Sequence, residues 1–414
     1  MPQGQDRQAV VIGAGIAGLL AARVLADHFQ NVRVIERDVP FDASAPRKGT
    51  PQAHHIHNLL RRGLLVLEGY FPGLTQELVQ SGAETMDWTA DLLFIYRGGQ
   101  APRFPSDIHS LTLSRSLLEL AIRRRVAACP GVTFVNETDA VQLLASNSNR
   151  TVTGIQVHYR SGPLRGKDEV IPADLVVDAA GRSSRAVDWL ADLGCPAPPP
   201  SKVQSFTTYA TREYERPQQV SGDWKVLLVR DQPPYGTRSG GIYPVEGNRW
   251  MVTITGAGKD APPTDPEGFE AFSRQLFYPG LAEALQQARP LSKIHGFAHT
   301  ANLKQHFERM RSWPAGLAVT GDAACTFNPL YGQGMAVAAL EALELDHWLR
   351  DGSPGFQQRV ARVVRTPWLI ATNQDLKLPE TQGTPPHPYE RFFQRYIERS
   401  KSWPTATRRS LPPI

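Results

Sequence analysis

The stretch AVVIGAGIAGLLAARVLADHFQNVRVIE, Ala9 to Glu36, decides how the rest of the chain is read. Ala9 to Ile12 is an unbroken apolar run halted by glycine, the pattern of a short strand buried on both faces. Gly13, Gly15 and Gly18 follow in G-x-G-x-x-G spacing at the turn into a helix. Gly13 permits the tight turn, Gly15 lets a pyrophosphate reach the backbone, and Gly18 lets the helix close on the strand. The helix N-terminus, with unpaired N–H groups and the positive end of its dipole, favours that anion. Val32 to Ile35 reads as a second strand, and Glu36 ends it about 20 residues past the glycines, where a carboxylate accepts ribose hydroxyls. An acid there disfavours a 2′-phosphate, so NADP is not the expected occupant. Strand, helix and terminal acid in this order predict a dinucleotide site and leave open which dinucleotide.

The bulk properties set the frame around this unit. A chain of 414 residues is long for one core and suggests two domains, or one large domain with an inserted layer. Charged residues make up 21% and the net charge is +5, as expected of a soluble globular protein. The basic residues are spread along the chain without an aromatic-basic recognition motif, which argues against nucleic-acid binding. Cys129, Cys195 and Cys325 are too few and too scattered for a disulfide framework or a metal site, which fits a reducing, cytoplasmic setting. No signal peptide is read at the N-terminus, and no apolar stretch approaches the roughly 18 residues of a spanning helix.

Between Asp38 and Asn58 the chain is rich in Pro, Gly and small polar residues and reads as a loop. It carries Arg47, Lys48, Gln52, His54, His55 and His57 within eleven positions, a clustering that suggests binding or chemistry on a scaffolded loop. No carboxylate or cysteine completes a metal-ligand set there. A helix is expected from Leu59 to Tyr70, strands and turns from Thr85 to Ile108, and a helix from Leu111 to Val126 capped by Ser114 or Ser116, with Arg115 in its first turn. The runs VTFV, AVQLL and TGIQV between Val132 and Val157 suggest strands laid against the first unit. Asp174 to Arg185 repeats the opening logic, an apolar strand followed by Asp178, Gly181 and small residues. Ser201 to Ala298 differs in composition, with a hairpin of Gly241–Val245 and Arg249–Thr255 and a helix from Phe269 to Leu276. It holds Phe206, Tyr209, Trp224, Tyr235, Tyr243 and Trp250, some of which would line an apolar substrate pocket. Leu317 to Leu349 ends an apolar strand in Gly321-Asp322 and passes through Pro329, Gly332, Gln333 and Gly334 into a long helix near Met335, again aiming a carboxylate and a helix N-terminus at one ligand.

Three spaced motifs in this order, Gly13 to Gly18 with Glu36, Asp178 to Ser184, and Gly321-Asp322 with Pro329 and Gly332-Gln333-Gly334, resemble the FAD-dependent monooxygenases of the para-hydroxybenzoate hydroxylase type. The resemblance covers most of residues 8 to 375. Arg47 to Gln52 with His54 and His57, and Thr366-Pro367-Trp368 to Asp375, look more narrowly like the branch of polyether-type alkene epoxidases. The implied fold is α/β: a Rossmann-like FAD-binding domain of the glutathione reductase type, an inserted antiparallel β-sheet substrate domain, and C-terminal helices. Its expected division is 1–80 with 110–198 and 295–375 for FAD, 81–109 with 199–294 for substrate, and 376–414 as linker and amphipathic helix.

The resemblance also implies roles. Gly13, Gly15, Ala17, Gly18, Glu36, Arg37, Arg47, Lys48, Arg115, Asp178, Gly181, Gly321, Asp322, Pro329, Gly332, Gln333, Gly334 and Met335 would contact FAD, with Glu36 on the adenosine ribose, Arg115 on the pyrophosphate and Asp322 on the ribityl chain. Gln52, His54 and His57 would stand near the flavin, and Phe206, Tyr209, Trp224, Tyr243, Trp250 and Pro329 around the substrate. Cys325 stands where many relatives carry histidine. The implied reaction moves one oxygen atom of O2, carried on flavin C4a, to a small apolar unsaturated metabolite by epoxidation or hydroxylation. Electrons would come from NADPH or NADH, or from a separate flavin reductase. No substrate-deprotonating base stands out in the aromatic-rich region, which tilts the reading towards an alkene. A geranylgeranyl-reductase-like enzyme and a non-catalytic flavin-binding partner protein are the alternatives. Halogenation is disfavoured by the lack of a W-x-W-x-I-P stretch. Beyond the proline-rich Thr381 to Pro388, residues Tyr389, Phe392, Phe393, Tyr396 and Ile397 fall at helical spacing, with arginines on other faces that would suit a membrane or carrier surface.

Overall fold

The computed structural model describes residues 7–40, 45–146, 148, 150–218, 222–231, 233, 235–298 and 300–385. The helix read at Tyr389 to Ile397 lies outside them. Five parallel strands form the central sheet in the order Leu317–Val319, Leu175–Asp178, Gln8–Ile12, Asn31–Ile35 and Val132–Val135. The apolar residues of the first four are buried, as a sheet covered on both faces requires, while Val132, Phe134 and Val135 of the last, at the edge, are half-buried. Helix Ile16–Leu25 packs on one face together with Arg115–Ala127 and Gly334–Asp351. On the other lies a three-stranded antiparallel sheet of Thr138–Ala145, Val152–Tyr159 and Asp168–Pro172. Val132–Val135 therefore differs from the sequence expectation: it is an edge strand of the parallel sheet, and only the next two runs lie against it.

A seven-stranded sheet stands beside this unit, in the order His295–Phe297, Thr207–Glu215, Arg249–Ala257, Ser239–Val245, Val226–Arg230, Leu92–Tyr96 and Gly99–Gln100. Neighbours run antiparallel except Val226–Arg230 beside Leu92–Tyr96, which are parallel. The expected hairpin is present, joined through Glu246, Gly247 and Asn248. Helices Pro266–Arg274 and Gly280–Gln286 cover one face of the sheet and seal a second apolar core, leaving the other face towards the parallel-sheet unit. Ser201–Gln204, grouped by composition with this sheet, pairs instead with Asn302–Lys304 and Gln382–Gly383. The helix expected from Leu59 begins at Arg61, and the one expected from Phe269 begins at Pro266, where Asp265 caps it by accepting the Gly268 N–H. Among the described residues no helix is long and apolar enough to cross a membrane.

Candidate functional site

The carboxyl ends of the parallel strands, where ligands settle in open α/β sheets, open into a cleft of about 1060 Å³. Gly13 sits at φ +95°, and a Cβ there would lie 2.7 Å from the Ala179 carbonyl oxygen. A Cβ on Gly18 would lie 1.8 Å from the Gly13 carbonyl oxygen, so helix and strand meet in space that only glycine leaves. A Cβ on Gly15 would meet nothing. The same three-glycine motif thus contains two packing positions and one that faces open space. Ala17, Gly181, Gly321, Pro329, Gly332, Gln333, Gly334 and Met335 also line the cleft, and Gly334 opens the 18-residue helix Gly334–Asp351 onto it.

Glu36 lines the cleft from below. Its carboxylate accepts the Ala14 N–H at 2.7 Å and the Asp38 N–H at 2.9 Å, and Arg47 approaches it at 3.3 Å. Arg47 is fully engaged: it bonds Asp38 at 2.8 Å, Glu119 at 2.7 Å and the Ala14 carbonyl at 3.1 Å. One guanidinium ties three buried carboxylates of the strand, the loop and helix Arg115–Ala127 into a wall. Arg115, in the first turn of that helix beyond the Ser114 cap, lines the cleft and pairs with Glu119 through its Nε at 3.4 Å. Arg37 borders the cleft, whereas Lys48 is exposed and is not part of the cleft lining.

Asp178 departs from the expectation. It is 0% exposed and does not reach the cleft, because its carboxylate turns inward to accept the Ala180 N–H at 2.9 Å and the Ser184 hydroxyl at 2.6 Å. Burial pushes its carboxyl up, and its role is to shape the turn that presents Gly181 and Arg182. Asp322 is the opposite case: it lines the cleft, and among the described residues nothing donates to its carboxylate. Burial raises its carboxyl while the Arg182 and Arg115 charges hold it down. Beneath it lies Glu341, which sequence reading passed over as one helix residue among many. Glu341 accepts the Thr320 hydroxyl at 2.7 Å and the Gly321 N–H at 2.5 Å, and its other oxygen has no partner.

Burial pushes the Glu341 carboxyl up to about 7 from its ordinary 4.5. The folded chain therefore keeps a proton that the unfolded chain has already released between those values. Stability owing to this group is greatest below the lower value and falls as pH rises through the upper one, by about 3 kcal/mol in all. Glu341→Gln should lack that fall. Urea unfolding at pH 5 and pH 8 measures it, and an identical pH response in both proteins would contradict it.

The histidines divide. His57 lines the cleft, and its Nδ1 lies 2.8 Å from the His55 carbonyl oxygen. A carbonyl only accepts, so Nδ1 carries the proton and Nε2 is left as an acceptor. Burial, reinforced by the Arg115 charge, lowers its pKa to about 3, so it is neutral at ordinary pH. Gln52 also lines the cleft, as does His55, whose Nδ1 lies 2.7 Å from the Thr211 hydroxyl. His54 does not: it stacks on His295 with ring centroids 3.7 Å apart. The 3₁₀ turn Pro51–His54 directs His54 at the sheet edge and away from the cleft. Cys325 is buried and its thiol is raised well above 9.0 by that burial, which leaves it inert.

Alternation along the seven-stranded sheet sorts the aromatics. Tyr209 and Tyr243 face the cleft. Trp224 and Trp250 do not: they stack on each other in the core behind the sheet, with centroids 5.9 Å apart. Trp250 shares the parity of Val252 and Ile254, which face the covering helices, while Thr253 and Thr255 face the cleft. Phe206 is 39% exposed outside the cleft. In their place the structure brings Ile56, Leu92, Phe94, Leu228 and Phe297 to the wall. The period-two pattern could have found Leu92, Phe94 and Leu228, had the direction of the cleft been known.

The residues present fit an extended flavin dinucleotide. Open space stands over Gly15 and Gly334, a carboxylate lacks a partner at Asp322, and the buried Gln333 and Asn58 side-chain oxygens are unbonded. Residues 6–350 match the family described as FAD binding domain. The chain belongs to that family. This flavoprotein is 32% identical over 349 residues to Protein Rv3254 of Mycobacterium tuberculosis, covering 83% of this chain and 73% of the relative. It is 28% identical to kynurenine 3-monooxygenase of Salinispora tropica, over 82% of this chain and 72% of that one. The flavin-dependent brominase Bmp2, in a triple-mutant structure, shares the fold with a TM-score of 0.69 at 14% identity, over 95% of this chain and 99% of that one. Family and relatives support an FAD-dependent oxidoreductase of the monooxygenase type related to para-hydroxybenzoate hydroxylase.

Proposed function

We propose that this flavoprotein inserts one oxygen atom of O2 into an apolar unsaturated metabolite, by epoxidation or hydroxylation, with electrons from NADPH, NADH or a separate reductase. The observation that carries this reading is that one continuous cleft joins the glycine turns to the apolar face of the seven-stranded sheet, meeting at Pro329. Bound FAD supplies the chemistry, using two electrons to deliver one oxygen atom to the substrate and the other to water. The chain's part is to hold, aim and keep dry. Glu36 would take the adenosine ribose, the Ile16–Leu25 N-terminus the pyrophosphate, and Asp322 the ribityl hydroxyls. The Gly334–Asp351 N-terminus would favour negative charge on the flavin ring. Leu92, Phe94, Leu228 and Phe297 would exclude water from the reacting carbon. His57, neutral with a bare Nε2, is an acceptor and no proton donor at ordinary pH. Three free cysteines suit the reducing cytoplasm in which we place the reaction.

The deciding experiment is turnover under ¹⁸O2 with NADH or NADPH, in which product should carry one labelled oxygen. Unlabelled product, or product formed without oxygen uptake, would sink the reading. Asp322→Asn tests the cofactor end: it should weaken FAD binding by about 1.5 to 3 kcal/mol, roughly tenfold to a hundredfold. The unfolding midpoint of the flavin-free protein should not fall, since the carboxylate has no hydrogen-bonding partner among the described residues and the net effect of its surroundings is to disfavour its charge. Unchanged FAD affinity would remove Asp322 from the site.

A further inference from the structure

We infer that the substrate carries an anionic group, a carboxylate in the simplest case, and that Arg230, Ser239 and Thr255 receive it. The inference rests on the monooxygenase reading and specifies its substrate. Strand register places these three side chains in one row across three adjacent strands: Arg230 opposite Ser239, and Ser239 opposite Thr255. All three line the cleft. Among the described residues none of the three spends its side-chain donors in a hydrogen bond or ion pair, and the Arg230 guanidinium only overlies the Tyr331 ring at 5.3 Å. That sets Arg230 apart from Arg47, which is consumed by three carboxylates.

The nearby acids do not neutralise Arg230. Asp231, next in sequence, is taken by Arg97 through two bonds of 3.1 and 3.0 Å. Asp375 is held by Asn302 at 2.6 Å, Tyr331 at 2.5 Å and Asn328 at 3.1 Å, and burial raises its carboxyl towards the neutral form. A half-buried cation with two hydroxyl donors beside it is a charge-assisted receptor for a small planar anion.

The neighbouring positions on the same sheet face describe the rest of the ligand. Two residues along the strands lie Phe94, Leu228, Gly241 and Thr253, and two further lies Leu92 with Tyr243 near it. A Cβ on Gly241 would meet Leu228 at 2.8 Å, so glycine there keeps the apolar floor flat. From the Arg230 row to Leu92 the strand runs four residues, about 13 Å. The site therefore suits an organic acid whose apolar body extends roughly that far from its anionic end.

The holoenzyme titrated with 6-phenylhexanoate and with its neutral amide, 6-phenylhexanamide, tests this through changes in the bound-flavin absorbance. The acid should bind at least tenfold more tightly than the amide. Arg230→Gln should bring that ratio near one, Arg230→Lys should restore part of it, and Ser239→Ala with Thr255→Val should reduce it. An acid that binds no better than its amide, including no detectable binding of either, overturns the inference, as does an undiminished ratio in Arg230→Gln. Should Arg230→Gln not fold, the Lys variant and the Ser239/Thr255 pair decide alone. Flavin content is read separately: yellow protein that fails to discriminate defeats this inference only. Colourless protein whose calorimetric titration still discriminates defeats the flavin reading only.

Discussion

Gly18→Ala is expected to give a protein that holds no flavin and is less stable by about 3 kcal/mol or more, while Gly15→Ala is expected to fold normally and yet bind FAD poorly. The difference lies in what a methyl group meets. At Gly18 it would stand 1.8 Å from a backbone carbonyl oxygen, so the helix must leave the strand. A rotamer change cannot relieve that clash, because both partners are main chain. At Gly15, with φ −74°, the backbone already suits alanine and the methyl would enter open space. Only a pyrophosphate pressed against that backbone would feel it. Urea unfolding of the flavin-free variants and FAD titration by fluorescence quenching separate the effects. Equal stability losses in both variants would refute this division of the motif.

Arg47→Met is expected to lower the stability of the flavin-free protein by about 3 to 5 kcal/mol, as large a loss as any single change to the cleft wall. The guanidinium lies within 3.3 Å of Glu36, within 2.8 Å of Asp38 and within 2.7 Å of Glu119. Its removal leaves the buried Glu36 and Asp38 carboxylates without their direct ion-pair partner and Glu119 with Arg115 alone at 3.4 Å, a condition the interior meets by opening or by taking up protons. The sequence resemblance gives Arg47 a contact with the cofactor. The geometry gives it an earlier task, assembling the wall in which Glu36 sits, so FAD binding should fail in this variant as a consequence of the wall's loss. A variant as stable as the wild type before FAD is added would show that the wall holds without it.

Much of the fold was legible in local sequence. The glycine turn, the second strand running up to Glu36, the Ser114 cap and the Glu246-Gly247-Asn248 hairpin each depend on neighbours a few residues apart and lie where their patterns do, whereas the helix expected from Leu111 begins only at Arg115, because Leu111 and Thr112 belong to strand His109–Thr112 paired with Glu84–Asp87. The same holds for Asp322, because the strand that delivers it and the helix that follows announce themselves. Asp178 stands in an almost identical local pattern and yet points inward, since Ala180 and Ser184 satisfy it within its own turn. Pattern alone does not separate a carboxylate that waits for a ligand from one already occupied.

What the chain determined by itself is a strand–turn–helix that no bulky residue could make, and hence a dinucleotide-binding α/β unit with a sheet inserted into it. Which side of that sheet met the cleft was settled only by assembly. Period-two alternation marks two faces without naming either, so Trp250 went to the rear core and Thr255 to the cleft once helices Pro266–Arg274 and Gly280–Gln286 had covered one side. The Arg230 row and the Glu341 carboxylate beneath Asp322 likewise exist only where distant segments meet, because charge and burial at those positions are set by what packs against them and not by their neighbours in sequence.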